Sequence, residues 1–234
     1  MRKVSVVIPV HNEEEILERN LKKIESYLKS IKAGYEIIVV NNGSSDSTGI
    51  ILKKLAGKRI RGFELPYAAF GEAIKVGMLK AKYDVVIYSI DLGFDINFIG
   101  SAISALENRD AVLGNRYSRA ARINRSLLRN LLSRPYPFVA NLVLGCRFHD
   151  YDAVKAFRNR PGKELAAMTR SKDNFFFTEL LVFLKKSRYS FVEMPVSHME
   201  TRKSRFKIYK LVYQQLRDLL GKSLWLRGFR PGTS

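Results

Sequence analysis

Lys3-Val-Ser-Val-Val-Ile-Pro-Val-His-Asn-Glu-Glu-Glu15 and Glu36-Ile-Ile-Val-Val-Asn-Asn-Gly-Ser-Ser-Asp-Ser-Thr48 share one layout. Each is an apolar, β-branched run that stops in a polar loop and passes into a helical pattern, which reads as a buried strand feeding a helix. After the first run, Leu17, Leu21, Ile24, Leu28 and Ile31 recur at four- and three-residue steps, so 13–31 is expected to be an amphipathic helix. After the second, Ser45, Asp46 and Ser47 offer N-caps for a helix reaching Leu55.

The unit repeats further along. Gly62 to Leu65 reads as a short strand, Gly71 to Met78 as a helix, and Asp84 to Ser89 as a strand ending at Ile90-Asp91-Leu92-Gly93. Ala111 to Gly114 is a further strand before Asn115-Arg116-Tyr117. Alternation of this kind predicts a mostly parallel α/β sheet with helices on both faces. A ligand then belongs at the carboxyl edge of the strands, where loops and helix N-termini present backbone N–H groups. That edge comprises residues 9–13, 41–44, 89–93 and 114–116.

A chain of 234 residues with 46% hydrophobic content supports one well-buried core, so a single domain over 1–200 with an appendage over 201–234 is expected. Cys146 stands alone, which excludes an intramolecular disulfide or a Cys-based zinc site and suits a reducing compartment. The opening Met-Arg-Lys-Val-Ser-Val has no signal-peptide character, and with no long uncharged apolar window a transmembrane helix is not expected. A net charge of +19 calls for an anionic partner: nucleic acid, acidic lipid or a phosphorylated substrate. The motifs of the common nucleic-acid modules are missing, so specific nucleic-acid recognition is not expected.

The second half changes character. Leu127 to Leu144 is expected to be helical, broken or kinked at Arg134-Pro-Tyr-Pro137. Phe175 to Leu184 is a core or interfacial helix, since a membrane span needs about twenty residues. Ser190 to Val196 reads as a strand. In the basic tail, Tyr209, Val212, Tyr213, Leu216, Leu219, Leu220 and Leu224 fall near one helical face, with Lys207, Lys210, Arg217 and Lys222 between them. Such a helix either lies among lipid headgroups or packs on the core or on a second copy.

Taken with Gly114-Asn-Arg-Tyr117, His149-Asp-Tyr-Asp-Ala-Val-Lys-Ala-Phe-Arg158, Glu193-Met-Pro-Val196 and Arg202-Lys-Ser-Arg-Phe-Lys207, the two opening runs resemble the family 2 glycosyltransferases. These are inverting GT-A enzymes, and the likeness is greatest to the branch that loads a sugar onto polyprenyl or dolichyl phosphate. The resemblance implies a GT-A (Rossmann-like) sheet and transfer from a UDP- or GDP-sugar to a polyprenyl phosphate. It also implies Mg2+ or Mn2+, weakly held or dispensable, and work at the anionic cytoplasmic face of a membrane, with a homo-oligomer or a membrane-protein partner as further options. Under it, the nucleotide is held by Pro9, Val10, His11, Asn12, Glu13, Asn41, Asn42, Gly43, Gly71 and Ile90. Asp91 binds the metal and takes part in catalysis, and Arg116, Arg202 and Lys207 grip phosphates.

Three departures bear on activity. Asn41-Asn42 stands where the family carries Asp-Asp, and a carboxamide accepts a hydrogen bond without bringing charge. Ser89 replaces the first carboxylate of an Asp-x-Asp pair, leaving Asp91 with Asp95 as helper, or leaving Asp91 to cap the next helix. The segment at 150–158 lacks the family's Gly; either Asp150 or Asp152 meets the sugar or the acceptor, or both pair with Arg147 or Lys155. His149 is a lone histidine beside a turn, with metal ligation or base chemistry as its sharper reading. Arg119, Arg122, Arg125 and Arg129 form either a phosphate-binding stripe or a solvated face. The alternative function is a catalytically impaired homologue that binds nucleotide or lipid phosphate as a partner subunit.

Overall fold

Strands whose β-branched, apolar residues fall on both faces cannot leave one face in water, and the chain buries both. The computed structural model describes residues 3–89, 95–121, 123–124, 134–199 and 208–229. Strand β1 (Lys3–Val10) lies between β2 (Gly34–Asn42) and β4 (Val85–Tyr88), and β2 pairs with β3 (Ile60–Leu65), all parallel. The full seven-stranded order is β3-β2-β1-β4-β7-β5-β8, with β5 at Ala111–Asn115, β7 at Lys155–Arg158 and β8 at Phe191–Pro195. β7 runs antiparallel to both neighbours, β4 and β5, while β5 and β8 are parallel. A small ladder joins β6 (Ile123–Asn124) to β9 (His198–Met199).

Helices cover both faces, as the alternation predicted. Val4, Val6, Ile8 and Val10 meet α1 (Leu17–Ser30), α2 (Thr48–Leu55) and α4 (Asn97–Ala105) in one core layer. Val7, Ile38, Val40, Val86 and Tyr88 face the other layer. It is built from α3 (Phe70–Lys80), α5 (Pro135–Leu144), α6 (Asn159–Met168), α7 (Phe176–Lys186) and α8 (Ile208–Gly228). α7 is the core helix: every residue from Phe176 to Leu184 is buried.

The prolines at 135 and 137 stand in the first turn of α5, where a residue has no intrahelical N–H bond to lose. Residues 127–133 lie outside the described residues. The sequence reading missed β7 and α6. Lys155 opens the four-residue β7 with a charge, and Pro161-Gly162 obscures the first turn of α6.

Candidate functional site

Because β7 is reversed, it begins at the edge where β1, β2, β4 and β5 end. That edge holds two clusters, one at each end.

At the β1/β2 end, the two polar loops are laced together. His11 Nδ1 and the Asn42 carbonyl oxygen are 2.8 Å apart, Asn12 N–H donates to Ser44 Oγ at 3.0 Å, and Glu13 N–H donates to Thr48 Oγ1 at 2.8 Å. In return, Ser45 N–H donates to Asn12 Oδ1 at 2.8 Å and Ser47 N–H to a Glu14 carboxylate oxygen at 2.9 Å. Asn12 takes the left-handed conformation that asparagine tolerates, with φ of 54°. Pro9 and Val10 are not loop residues: they pair with Val40 and Asn41 inside the sheet and are buried.

Asn41 and Asn42 are buried scaffolding of this edge. Asn41 Oδ1 accepts from Ser44 N–H at 3.2 Å, and Asn42 Oδ1 accepts from Ala69 N–H at 2.6 Å. The second bond ties the start of α3 to the end of β2. Gly43 has φ of +64°, and a Cβ there would stand 2.5 Å from the Tyr67 carbonyl carbon. Gly43→Ala is therefore expected to cost about 1–3 kcal/mol through backbone strain and displacement of residues 67–69, read as a lowered urea midpoint. Gly71 faces Asp173 and Phe176, where a Cβ would lie 2.3 Å from the Asp173 carbonyl oxygen. Its missing side chain serves the close approach of α3 to the start of α7.

At the β5/β7 end, a buried charge cluster replaces the expected open arginine. Arg116 is only 7% exposed. Its Nε and Nη2 each donate to one oxygen of Asp150 at 2.7 Å, and its backbone N–H adds a third bond at 3.0 Å. Asp150 also accepts from the N–H groups of Asp152 and Ala153 at 3.0 and 3.1 Å. Burial would raise the Asp150 carboxyl, but the charge and hydrogen bonds of Arg116 outweigh it and hold it below the usual carboxylate range. Arg116 is thus committed to Asp150, which pairs with neither Arg147 nor Lys155.

Lys155, which the sequence reading did not select as a site residue, is completely buried. Its ammonium donates to the carbonyl oxygens of Tyr151 at 2.6 Å and Ala153 at 2.8 Å, and lies 5.9 and 5.7 Å from the ring centres of Tyr88 and Phe177. Burial pushes it down to about 8, against the opposing pull of Asp150 and Asp152. Asp152 is raised, first by burial and then by the charge of Asp150, against Arg116 and Lys155. A lysine in the unfolded chain keeps its proton to about pH 10.4, so between about pH 8 and 10 the unfolded chain binds more protons and stability rises with pH. Urea unfolding across that window should show the rise, and Lys155→Met should flatten it.

His149 is exposed, with Nδ1 2.6 Å from a Glu193 oxygen that also accepts from Asn115 Nδ2 at 3.2 Å. Ser89, buried at the end of β4, donates its N–H to the Val7 carbonyl oxygen at 3.1 Å. Ile90, Asp91, Arg122, Arg125, Arg129, Arg202 and Lys207 lie outside the described residues, and Arg119 is exposed. Asp95 stands at the start of α4. Its oxygens accept from Asn97 N–H at 3.1 Å and from Ser197 N–H at 3.4 Å. Among the described residues no three His, Cys, Asp or Glu side chains gather to hold a metal ion. A serine hydroxyl followed two residues on by an aspartate is nonetheless hard-oxygen chemistry, which Mg2+ or Mn2+ accepts when substrate phosphates complete the shell.

Known proteins match this arrangement over most of its length. The model of Glycosyl transferase family 2 matches residues 5–187. An undecaprenyl-phosphate 4-deoxy-4-formamido-L-arabinose transferase of Pseudomonas fluorescens is 32% identical over 67% of this chain and 50% of its own length. A dolichol-phosphate mannosyltransferase of Pyrococcus furiosus is 28% identical over 95% of this chain and 64% of its own. A dolichyl-phosphate beta-glucosyltransferase of Drosophila melanogaster is 26% identical over 96% and 74%. The chain thus spans about half the length of the first relative and under two thirds of the second. Among solved structures, glucosyl-3-phosphoglycerate synthase of Mycobacterium tuberculosis, crystallised with Mn2+ and UDP-glucose, superposes with a TM-score of 0.70 at 20% identity, over 99% of this chain and 81% of that one. That likeness concerns the fold, which is GT-A. Sheet order, laced strand-end loops and a family match covering well over half of the sequence lead to one conclusion: the chain belongs to glycosyl transferase family 2.

Proposed function

We propose that this chain transfers a sugar from a UDP- or GDP-sugar to a polyprenyl phosphate, working at an anionic membrane surface. The observation that carries the reading is the run of relatives named for polyprenyl- or dolichyl-phosphate acceptors, one of them matched along 95% of this chain. The chemistry of the site agrees with it. A phosphate monoester has its second pKa near ~6 and is already largely ionised at neutral pH, so its oxygen needs no strong base to attack. The phosphate oxygen bonds to the anomeric carbon as the bond from that carbon to the diphosphate breaks, and the nucleoside diphosphate departs with the electron pair. Such a reaction asks for alignment of two anions and charge stabilisation. A site whose Asp150 is consumed by Arg116, in a chain of net charge +19, suits that better than one built to deprotonate a sugar hydroxyl.

In this reading the laced loops at 11–13 and 41–48 shape the nucleotide pocket, and Asp91 is the protein ligand for Mg2+ or Mn2+. When bound, the ion neutralises charge on the diphosphate. Arg202 and Lys207 are proposed to hold phosphate from the segment before α8. Association with the membrane is assigned to α5 and α8, which pack side by side. Phe138 and Leu142 on α5, and Tyr213, Leu220 and Leu224 on α8, are all 69–80% exposed. Among the described residues no helix is long and apolar enough to cross a membrane.

The test is incubation of the chain with UDP-glucose or GDP-mannose, a short polyprenyl phosphate and Mn2+, scoring glycolipid formed. Saturable nucleotide binding without product would instead make it a binding subunit. Tight, salt-sensitive nucleic-acid binding without nucleotide binding would refute both.

A further inference from the structure

A membrane contact through α5 and α8 accounts for most of the large apolar side chains that stand exposed among the described residues, but not for Tyr67. This side chain is 50% exposed, in the loop between β3 and α3. β3 runs parallel to β2 and ends with Leu65 opposite Asn42, so the loop leaves the sheet at the edge where β1 and β2 also end. Tyr67 is therefore an uncovered aromatic at the ligand edge. A ring left half in water forgoes burial in the fold and keeps a flat π surface for a partner.

Both ends of the residue are fixed. Its backbone lies against Gly43: the Cβ that Gly43 lacks would stand 2.5 Å from the Tyr67 carbonyl carbon and 2.9 Å from its Cα. Two residues on, Ala69 N–H donates to Asn42 Oδ1 at 2.6 Å, which ties the same loop to the end of β2. At the far end, Lys172 Nζ donates to the Tyr67 hydroxyl at 3.3 Å while standing 5.7 Å from the ring centre. The ammonium thus holds the tip of the side chain. Lys172 is held in turn, since its carbonyl oxygen accepts from Glu72 N–H at 3.1 Å in the first turn of α3. Its neighbours are pinned by α8, with Lys222 Nζ donating to Ser171 Oγ at 2.7 Å and Gln214 Nε2 to Asp173 Oδ2 at 3.1 Å. A ring anchored in this way loses little freedom when a planar ligand settles on it. Asn42 is bordered by this loop on one side and by His11, from the β1 loop, at its carbonyl oxygen.

We infer that Tyr67 is a base-binding residue: its ring stacks on the base of the nucleotide sugar while Lys172 tethers its hydroxyl. The inference rests on the proposed use of a UDP- or GDP-sugar at this edge. Stacking needs a π-face and no particular pattern of donors and acceptors, so Tyr67 supplies affinity for uracil and guanine alike and does not choose between them.

The test is calorimetric titration of the chain with UDP and with GDP in the presence of Mn2+. Tyr67→Ala is expected to weaken both about tenfold or more, the factor that stacking of one base on an aromatic ring supplies. Its urea midpoint should not move, because the side chain is half exposed. Tyr67→Phe keeps the ring and should keep most of the affinity. A Tyr67→Ala variant that binds both nucleotides as the parent does would overturn the inference, and so would an equal loss in Tyr67→Phe. Should Tyr67→Ala fall in stability or fail to fold, Tyr67→Trp decides. Quenching of the added indole by UDP or GDP, beyond any change in the parent's Trp225, supports stacking, and no added quenching refutes it. If the parent binds neither nucleotide, the donor reading fails and takes the inference with it. If the parent binds and Tyr67→Ala binds equally well, the inference alone fails.

Discussion

Asp150→Ala is expected to destabilise the chain by about 3–5 kcal/mol, because it strands the Arg116 guanidinium in the interior with no counter-charge. Domains of this kind hold about 5–15 kcal/mol in all, so the variant should unfold at far lower urea or fail to accumulate. The companion experiment separates stranded charge from lost packing. Arg116→Met with Asp150→Leu removes both charges, and since replacing a whole buried pair with apolar groups is often neutral, most of the stability should return. The pH dependence follows from the sign of the Asp150 shift. Burial pushes its carboxyl up, but Arg116 more than reverses this, so the folded value lies below the unfolded one. The stabilisation is therefore complete above the unfolded value near ~4 and is lost as pH falls through the folded value. Acid unfolding of the double variant should lack that loss, as circular dichroism across pH 2–5 would show. A single Asp150→Ala variant as stable as the parent would mean that the bidentate pair does not anchor this edge.

Leu220→Ser with Leu224→Ser is expected to weaken binding to phosphatidylglycerol-containing vesicles about 100-fold. Each leucine contributes about 1.5–3 kcal/mol when buried, and about 2.7 kcal/mol shared between two partly inserted side chains corresponds to that factor. Both are largely exposed in the structure, so the folded state should lose no more than about 0.5 kcal/mol. That contrast makes the experiment informative. A large fall in the thermal midpoint with unchanged vesicle binding would assign these residues to folding. The expected result, weaker vesicle binding at constant stability, assigns them to the lipid surface. Flotation with vesicles and thermal unfolding on the same preparations supply both readings.

The fold was largely legible in the sequence because its first half obeys local rules. β1 and β2 carry long apolar, β-branched runs broken only by Ser5 and Glu36 before their ends, and β4 is Val-Val-Ile-Tyr, so their burial followed without any knowledge of neighbours. β7 was not legible: it is four residues long and opens on a lysine, which reads as a surface residue, and only the tertiary structure supplies the two carbonyls that satisfy it. The Arg116–Asp150 pair joins positions 34 apart, and nothing in either segment marks the partner. Arg116 was singled out as a phosphate-binding group, and Asp150 either as a contact for sugar or acceptor or as a partner of Arg147 or Lys155. The helical period located α8, yet not its rotation. Leu219 and Leu220 are neighbours about 100° apart around the axis, so one goes to the core and the other to the surface, and the pattern cannot say which. For Asn41 and Asn42 the location was right and the bonding was hidden, since Ala69 and Ser44 reach them only after the loops close.

The reversed strand also bears on how the chain comes to be folded. β1 to β4 can pair with one another as soon as residue 88 has been synthesised, but β5 takes its place only between β7 and β8, more than forty residues later. During synthesis, which proceeds from the N-terminus, Ala111–Leu113 therefore waits with both edges unsatisfied while the segment that will flank it is still being made. Aggregation during expression should start there. A chaperone that shields apolar strand edges would serve this protein most between the emergence of residue 115 and that of residue 195.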